Sequence, residues 1–254
     1  MTIEELRARY LDLMRNCLIG TIYDDPSLEF KVDGGLRPFD RVAREIGKDW
    51  PSQAHSMIGH KRMLQLQRAA EWVIDRGVPG DFIETGVWRG GASIMLRAIL
   101  KAWDVTDRRV WVADSFAGLP RPDPERYPAD RDDILHSYPA LAVSIEAVRA
   151  NFARYDLLDE QVVFLKGWFR DTLPTAPIEK LAILRLDGDL YESTMDALSA
   201  LYDKVSPGGF VIVDDYGAFP NCRAAVADFR GKRGIEDRIH DIDGTGVFWQ
   251  RGVD

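Results

Sequence analysis

The sequence predicts an α/β fold built on a mostly parallel, seven-stranded sheet with extra helices at its N-terminus, and three observations predict it. From Gly77 onward, short apolar runs rich in β-branched and aromatic residues alternate with amphipathic helical segments. The last two runs are separated only by Asp243-Gly244-Thr245, the spacing of a closing hairpin. The chain has 254 residues, enough for one large domain with additions and too few for two full catalytic domains.

Taken in order, Leu6, Tyr10, Leu13, Met14 and Cys17 recur at helical spacing, and Met63, Leu64, Leu66, Ala70 and Val73 repeat that pattern between Met57 and Ile74. Between them, Tyr23 to Asp49 is irregular and rich in Asp, Gly and Pro. Residues 1–78 therefore read as a helical extension and 79–254 as the core. Five runs read as buried parallel strands: Asp81–Glu84, Val110–Asp114, Val162–Leu165, Leu181–Asp187 and Phe210–Asp214. Helical segments between them act as crossovers, which a parallel, doubly wound sheet requires. A helix near Cys222 to Lys232 precedes the hairpin of Arg238–Ile242 and Gly246–Gln250. Residues 120–139, with Asp123, Glu125, Asp130, Asp132 and Asp133, are too extended for a mere connector and read as a lid loop or as a solvated acidic face.

Bulk properties narrow the function. A net charge of −8 argues against a partner that is a nucleic acid, because tracking phosphates needs a cationic face, and favours a small-molecule substrate. Cys17 and Cys222 are the only cysteines, and His55, His60, His136 and His240 lack metal-finger spacing. That composition suits a reducing, cytoplasmic setting. The N-terminus lacks the pattern of a secretory signal, and no apolar stretch is long enough to span a membrane.

In open α/β sheets ligands bind beyond the carboxyl ends of the strands, so the residues there carry the functional reading. The first strand runs into Glu84-Thr85-Gly86-Val87-Trp88-Arg89-Gly90-Gly91, a glycine turn that lets backbone approach a ligand. Its spacing is not the dinucleotide G-x-G-x-x-G. The second strand ends at Asp114-Ser115, a carboxylate suited to accepting from two ribose hydroxyls; a turn-capping aspartate is the bland alternative. Trp168 and Phe169 could cover an adenine face with Asp171 nearby, or pack in the core. Asp187 and Asp189 follow the fourth strand, and Asp214 and Asp215 the fifth. Four carboxylates at one rim favour a compensating dication, and an oxygen-only set favours Mg²⁺, Mn²⁺ or Ca²⁺ over zinc.

These motifs, with Tyr10-Leu11-Asp12-Leu13, Ala54-His55-Ser56-Met57-Ile58-Gly59, Asn151-Phe152-Ala153-Arg154-Tyr155 and Asp214-Asp215-Tyr216, resemble the macrocin O-methyltransferase (TylF-type) family of antibiotic-sugar methyltransferases over nearly the whole chain. The resemblance implies a class I S-adenosylmethionine-dependent methyltransferase core of Rossmann-like type, an S-adenosylmethionine donor, Mg²⁺ and a deoxysugar hydroxyl of a glycoside as acceptor. It implies that Met57, Ile58, Glu84, Thr85, Gly86, Asp114, Ser115, Trp168 and Asp171 serve the donor, that Asp187, Asp214 and Asp215 hold the metal, and that Asp189 is the general base. It also implies a homo-oligomer, a dimer or tetramer, in which the N-terminal helices cap the site or pack between subunits.

The chain departs from the macrolide-modifying members at Gly34-Gly35-Leu36-Arg37-Pro38-Phe39, which lacks an acidic residue near the sugar, and at Pro139–Val143, which is shorter and less polar. Both lie in the expected acceptor pocket. His136 nearby reads as a substrate or metal contact or as a structural histidine. A catechol or other phenolic acceptor is the alternative enzyme reading, and a non-catalytic donor-binding protein the alternative outside catalysis.

Overall fold

The computed structural model describes residues 1–29 and 35–253. The first helix, α1 (Ile3–Ile19), starts on a capping box in which the Thr2 hydroxyl accepts from the Glu5 N–H and the Glu5 carboxylate accepts from the Thr2 N–H. Gly20, at φ 71°, ends it in the left-handed conformation that favours glycine.

The stretch that reads as irregular contains β1 (Ser27–Leu28), β2 (Leu36–Arg37), α2 (Arg41–Glu45) and β3 (Trp50–Pro51). β1 pairs antiparallel with both other strands in a small sheet. The irregular stretch between the two expected helices thus holds short strands and a short helix that the sequence reading did not assign. Strands of two residues are too short to write a period-two pattern into the sequence. A buried ionic knot holds the region: the Arg44 guanidinium, fully enclosed, pairs with Asp49 at 2.9 Å and Asp25 at 3.5 Å and donates to the carbonyls of Ile19 and Asp25. Of the expected departure from the macrolide-modifying members, Gly34 lies outside the described residues, and Gly35 to Arg37 are exposed.

After α3 (Gly59–Asp75) the main sheet begins with β4 (Asp81–Thr85), followed by α4 (Gly91–Ala102), β5 (Val110–Asp114), α5 (Ile145–Arg154), β6 (Val162–Lys166), α6 (Phe169–Thr172), β7 (Leu181–Leu186), α7 (Tyr191–Leu201), β8 (Val205–Val213), α8 (Pro220–Arg233), β9 (His240–Asp241) and β10 (Val247–Gln250). The strand order is β6-β5-β4-β7-β8-β10-β9, with the first five parallel and the last two antiparallel. The mostly parallel, seven-stranded α/β fold expected from the sequence is the fold of the chain.

Strand alternation builds two cores. Phe82, Val110, Val112, Phe210 and Ile212 face the layer of α1, α3, α4 and α5, while Ile83, Trp111, Ala113, Val211 and Val213 face α7 and α8. α1 buries Leu11, Met14, Leu18 and Ile19 in the first core and leaves Ile3, Leu6 and Leu13 exposed.

The chain proceeds outward from β4 to β6 and then returns to β7, so the topological switch point lies between β4 and β7. Register brings the strand tips level there: Thr85 lies opposite Ala113 and Leu186, and Leu186 opposite Val213. Residues 120–139 coil into single 3-10 turns at Pro128–Asp130 and Leu135–Ser137, with a third following at Pro139–Leu141. Asp130, at 1% exposure, is no part of a solvated acidic face. Its carboxylate accepts from the backbone N–H groups of Tyr191 and Glu192 and from Asn221 Nδ2.

Candidate active site

The tips of β4, β5, β7 and β8 open into a cavity of about 450 Å³, whose lining includes Met57, Ile58, Glu84, Gly86, Asp114, Ser115, Trp168, Asp187, Asp189, Asp214 and Asp215. Most residues singled out in the sequence therefore meet in one place. Two do not line it. Thr85 is buried beneath, its hydroxyl donating to the Arg185 carbonyl at 3.3 Å, and Asp171 projects outward with 64% of its side chain exposed. The single turn of α6 explains Asp171: Trp168, at its N-terminal boundary, lines the cavity, whereas Asp171 lies outside the lining.

Gly86 shows why the first turn needs glycine. Its φ is 88°, and a Cβ there would lie 1.7 Å from the Asp187 carbonyl oxygen, so any side chain would push β4 and β7 apart. Asp114 fixes the same turn from the next strand. It accepts from the Val87 N–H at 2.7 Å with one oxygen and from the Phe116 N–H at 2.7 Å with the other. Burial pushes its carboxyl up from the ordinary range, and these donors pull the other way. Each oxygen retains capacity for a further donor from the cavity side.

At the opposite side, a ladder of acids surrounds Arg185. This residue sits inside β7, a strand otherwise buried and apolar, and its guanidinium donates to Glu84 Oε1 and Asp187 Oδ2, each at 2.7 Å, and to Asp214 Oδ1. Arg62, reaching from α3, pairs with Asp214 Oδ2 and with Asp243 Oδ2 at 3.1 Å. Both oxygens of Asp214 are thus held by guanidinium groups. Burial raises the Glu84 carboxyl to about 7 against the pull of Arg185, with Ser93 donating to its second oxygen.

Asp187, Asp214 and Asp215 offer carboxylate oxygens within 4.8 Å of one another. Among the described residues, Asp187 Oδ1 and Asp215 Oδ1 meet no protein donor, and Asp215 Oδ2 accepts only the Asp189 N–H at 3.2 Å. Burial first, and neighbouring acids second, hold the carboxyls of Asp187, Asp189 and Asp215 above their ordinary values. The two arginines therefore leave negative charge uncompensated. That residual charge, with free oxygens on an all-oxygen donor set, fits a hard dication. Asp189, at φ 59°, is in the left-handed region, a conformation that non-glycine residues adopt at a cost.

Sequence reasoning missed several lining residues, among them Trp50, His55, Arg62, Trp88 and Tyr138. His55 Nδ1 lies 2.9 Å from the Tyr155 hydroxyl, and burial, with Arg154 and Arg89 nearby, pushes its imidazole down to about 4. Trp50 meets Tyr138 edge to face, so the small sheet touches the end of the lid segment. His136 is absent from the cavity wall, and its Nδ1 is buried without a partner among the described residues.

A doubly wound sheet with a glycine turn and a second-strand acid at its switch point, closed by an antiparallel edge, is the architecture of class I S-adenosylmethionine-dependent methyltransferases. The model of the macrocin-O-methyltransferase (TylF) family matches residues 7–251, and the chain belongs to that family. It is 56% identical to 8-demethyl-8-(2,3-dimethoxy-alpha-L-rhamnosyl)-tetracenomycin-C 4'-O-methyltransferase of Streptomyces olivaceus, over 97% of this chain and 94% of that protein. It is 55% identical to demethyldecarbamoylnovobiocin O-methyltransferase of Streptomyces niveus, over 95% and 93%. The solved structure of the O-methyltransferase NovP superposes with a TM-score of 0.93 at 54% identity, covering 97% of this chain and all of that one. The chain is an S-adenosylmethionine-dependent O-methyltransferase.

Proposed function

We propose that the enzyme methylates a sugar hydroxyl of a glycosylated natural product, in an antibiotic-type tailoring step assisted by Mg²⁺. The observation that carries this reading is the shared cavity, in which the glycine turn and Asp114 face the same space as the carboxylates of Asp187, Asp189, Asp214 and Asp215. The Streptomyces olivaceus relative is a 4'-O-methyltransferase of a rhamnosyl-tetracenomycin C, which supports a glycoside over the phenolic alternative.

Glu84, Gly86, Asp114, Ser115, Met57, Ile58 and Trp168 would hold S-adenosylmethionine, which when bound supplies an electrophilic methyl group. Asp114 would accept from the ribose hydroxyls with the lone pairs that Val87 and Phe116 leave free. Thr85 would act from beneath by fixing the turn, and Asp171 only from the rim. Asp187, Asp214 and Asp215 would hold the dication, whose chemistry is to lower the pKa of a hydroxyl from about 16 by many units. Arg185 keeps Asp187 and Asp214 aimed at one point, and Asp189 takes the hydroxyl proton onto its carboxylate as the oxygen attacks.

Residues 120–139 would act as a lid that excludes water, with Pro120, Leu135 and Tyr138 on the cavity wall and Asp130 anchoring the segment to α7. Exposed Ile3, Leu6 and Leu13 on α1 support packing against another subunit. The reading implies a cytoplasmic enzyme. Among the described residues, no helix is long and apolar enough to cross a membrane.

The decisive experiment is a mass-spectrometric methyl-transfer assay with a panel of glycosides and catechols, each with MgCl2 or EDTA. Methylation of a glycoside that EDTA stops and MgCl2 restores is the expected result. Full activity in EDTA removes the metal role, and preference for catechols removes the sugar.

A further inference from the structure

Among the described residues, Arg62 is the cation whose ion pairs join the N-terminal cap to the acid cluster. It leaves α3 with Nη1 on Asp214 Oδ2, Nε on Asp243 Oδ2 at 3.1 Å and Nη2 on the Gly47 carbonyl at 3.1 Å. One side chain therefore ties the tip of β8, the turn before β10 and the cap loop ahead of β3. Its path leaves no slack: a Cβ on Gly47 would lie 2.4 Å from Nη2, and one on Gly246 2.9 Å from Cδ. The side chain is 7% exposed and its partner Asp214 5%.

Arg185 and Arg62 hold the two oxygens of Asp214, but their surroundings differ. Arg185 is fully enclosed within the sheet and also holds Glu84 and Asp187, so its charge is committed to the scaffold. Arg62 lines the cavity, and among the described residues Asp214 is the member of the acid cluster with which it forms an ion pair. A positive charge at that position opposes any second cation approaching the same carboxylates, and Coulomb repulsion over a few ångströms in a half-dry cleft is large.

We propose that Arg62 is the resident counter-charge of the acid cluster: it competes electrostatically with a dication for Asp214 and is a positioning residue that links the cluster's occupancy to the cap loop at Gly47. The proposal rests on the dication reading above. By linkage, whatever weakens the hold of Arg62 on Asp214 tightens dication binding, and whatever strengthens that hold weakens it.

Two variants move the balance in opposite directions. Arg62→Gln removes the charge and keeps amide donors. Asp243→Asn removes the competing anion and leaves the whole charge of Arg62 bearing on Asp214. The full-length protein is titrated with MnCl2 while the EPR signal of free Mn²⁺ is followed, and Tm is recorded in EDTA and in MnCl2. Arg62→Gln is expected to bind Mn²⁺ roughly tenfold more tightly than wild type, with a lower Tm in EDTA and a larger Mn²⁺-induced rise. Asp243→Asn is expected to bind it several-fold more weakly, and Arg62→Lys, which keeps a charge, to stay close to wild type.

Equal or weaker binding by Arg62→Gln overturns the proposal, as does a Tm loss of the same size with and without Mn²⁺, the behaviour of a plain strut. If Arg62→Gln does not fold, Asp243→Asn decides alone, and unchanged or tighter binding by it overturns the proposal. Wild-type protein that takes up no Mn²⁺ sinks the dication reading and this proposal together, whereas normal wild-type uptake with unresponsive variants sinks this proposal only.

Discussion

The carboxylate of Asp130 accepts the backbone N–H of Tyr191 at 2.7 Å, so a residue of the lid segment caps the helix that begins two positions after Asp189. Leu190, the residue at the cap position of α7, has no side-chain oxygen to do this. Asp130 supplies it from a distance of 61 positions in sequence and satisfies the Glu192 N–H and Asn221 Nδ2 as well. Asp130→Ala should therefore destabilise the protein by about 2 kcal/mol, the loss of a cap together with stranded donors. Urea unfolding of wild type, Asp130→Ala and Asp130→Asn checks this. A loss within about 0.5 kcal/mol for the alanine variant would show that the contact stabilises nothing.

Arg185 calls for a stronger effect. Removing its guanidinium would strand Glu84 and Asp187 in a buried strand and leave Asp214 with Arg62 alone. Breaking a buried ion pair by deleting one partner costs about 3–5 kcal/mol, so Arg185→Met should be near the limit of folding. Glu84→Gln in the same background should restore part of the loss, because it removes one of the stranded charges. A double variant less stable than Arg185→Met would contradict this account.

Arg185 also marks how far the sequence could be read. The five parallel strands were legible because buried runs of β-branched residues are long enough to carry a pattern, and strand-end acids follow from topology alone. The lone arginine inside Leu181–Leu186 is a signal that the sequence reading did not use: a buried charge must have partners there, and the adjacent acids are the nearest candidates. Arg62 gave no such signal: on an amphipathic helix a charge looks solvated, and only the approach of α3 to β8 makes it part of the cavity wall. The same holds for Trp50, in a two-residue strand of the small sheet, and for His55, in the loop between that strand and α3. Asp171, expected with the donor-binding residues, stands outside the cavity lining, because one turn of helix decides which way a side chain points.

His55 sets a pH dependence. Burial, then Arg154 and Arg89, lowers its imidazole to about 4, below the ordinary 6.5. With a folded value below the unfolded one, the unfolded chain takes up the proton first as pH falls. The stability contribution is therefore complete above pH 6.5, declines through the interval, and is fully lost below about pH 4. With allowance for partial solvent contact, the swing attributable to His55 is about 2 kcal/mol. Urea unfolding of wild type and His55→Gln between pH 7.5 and roughly 4.5 tests this, with a shallower pH slope expected for the variant. Parallel slopes would mean that His55 protonates equally in both states.

Asp189 allows the cleanest separation of chemistry from architecture. Its backbone lies at φ 59°, where Asn is tolerated nearly as well as Asp and β-carbon strain penalises most other residues. Asp189→Asn therefore preserves the turn, and with it the Asp189 N–H that donates to Asp215 Oδ2. The amide differs in one respect that matters: it cannot take a proton from a hydroxyl. If the carboxylate is the base, kcat should fall by about 10²–10⁴-fold, the usual contribution of a positioned general base. Acceptor KM and donor affinity should change by less than about threefold, since neither depends on proton transfer. Steady-state kinetics with calorimetric titration of S-adenosylmethionine resolves the two. A variant that keeps its kcat removes Asp189 as the base, and one that loses donor affinity in step with kcat shows that Asp189 shapes the pocket rather than moving the proton.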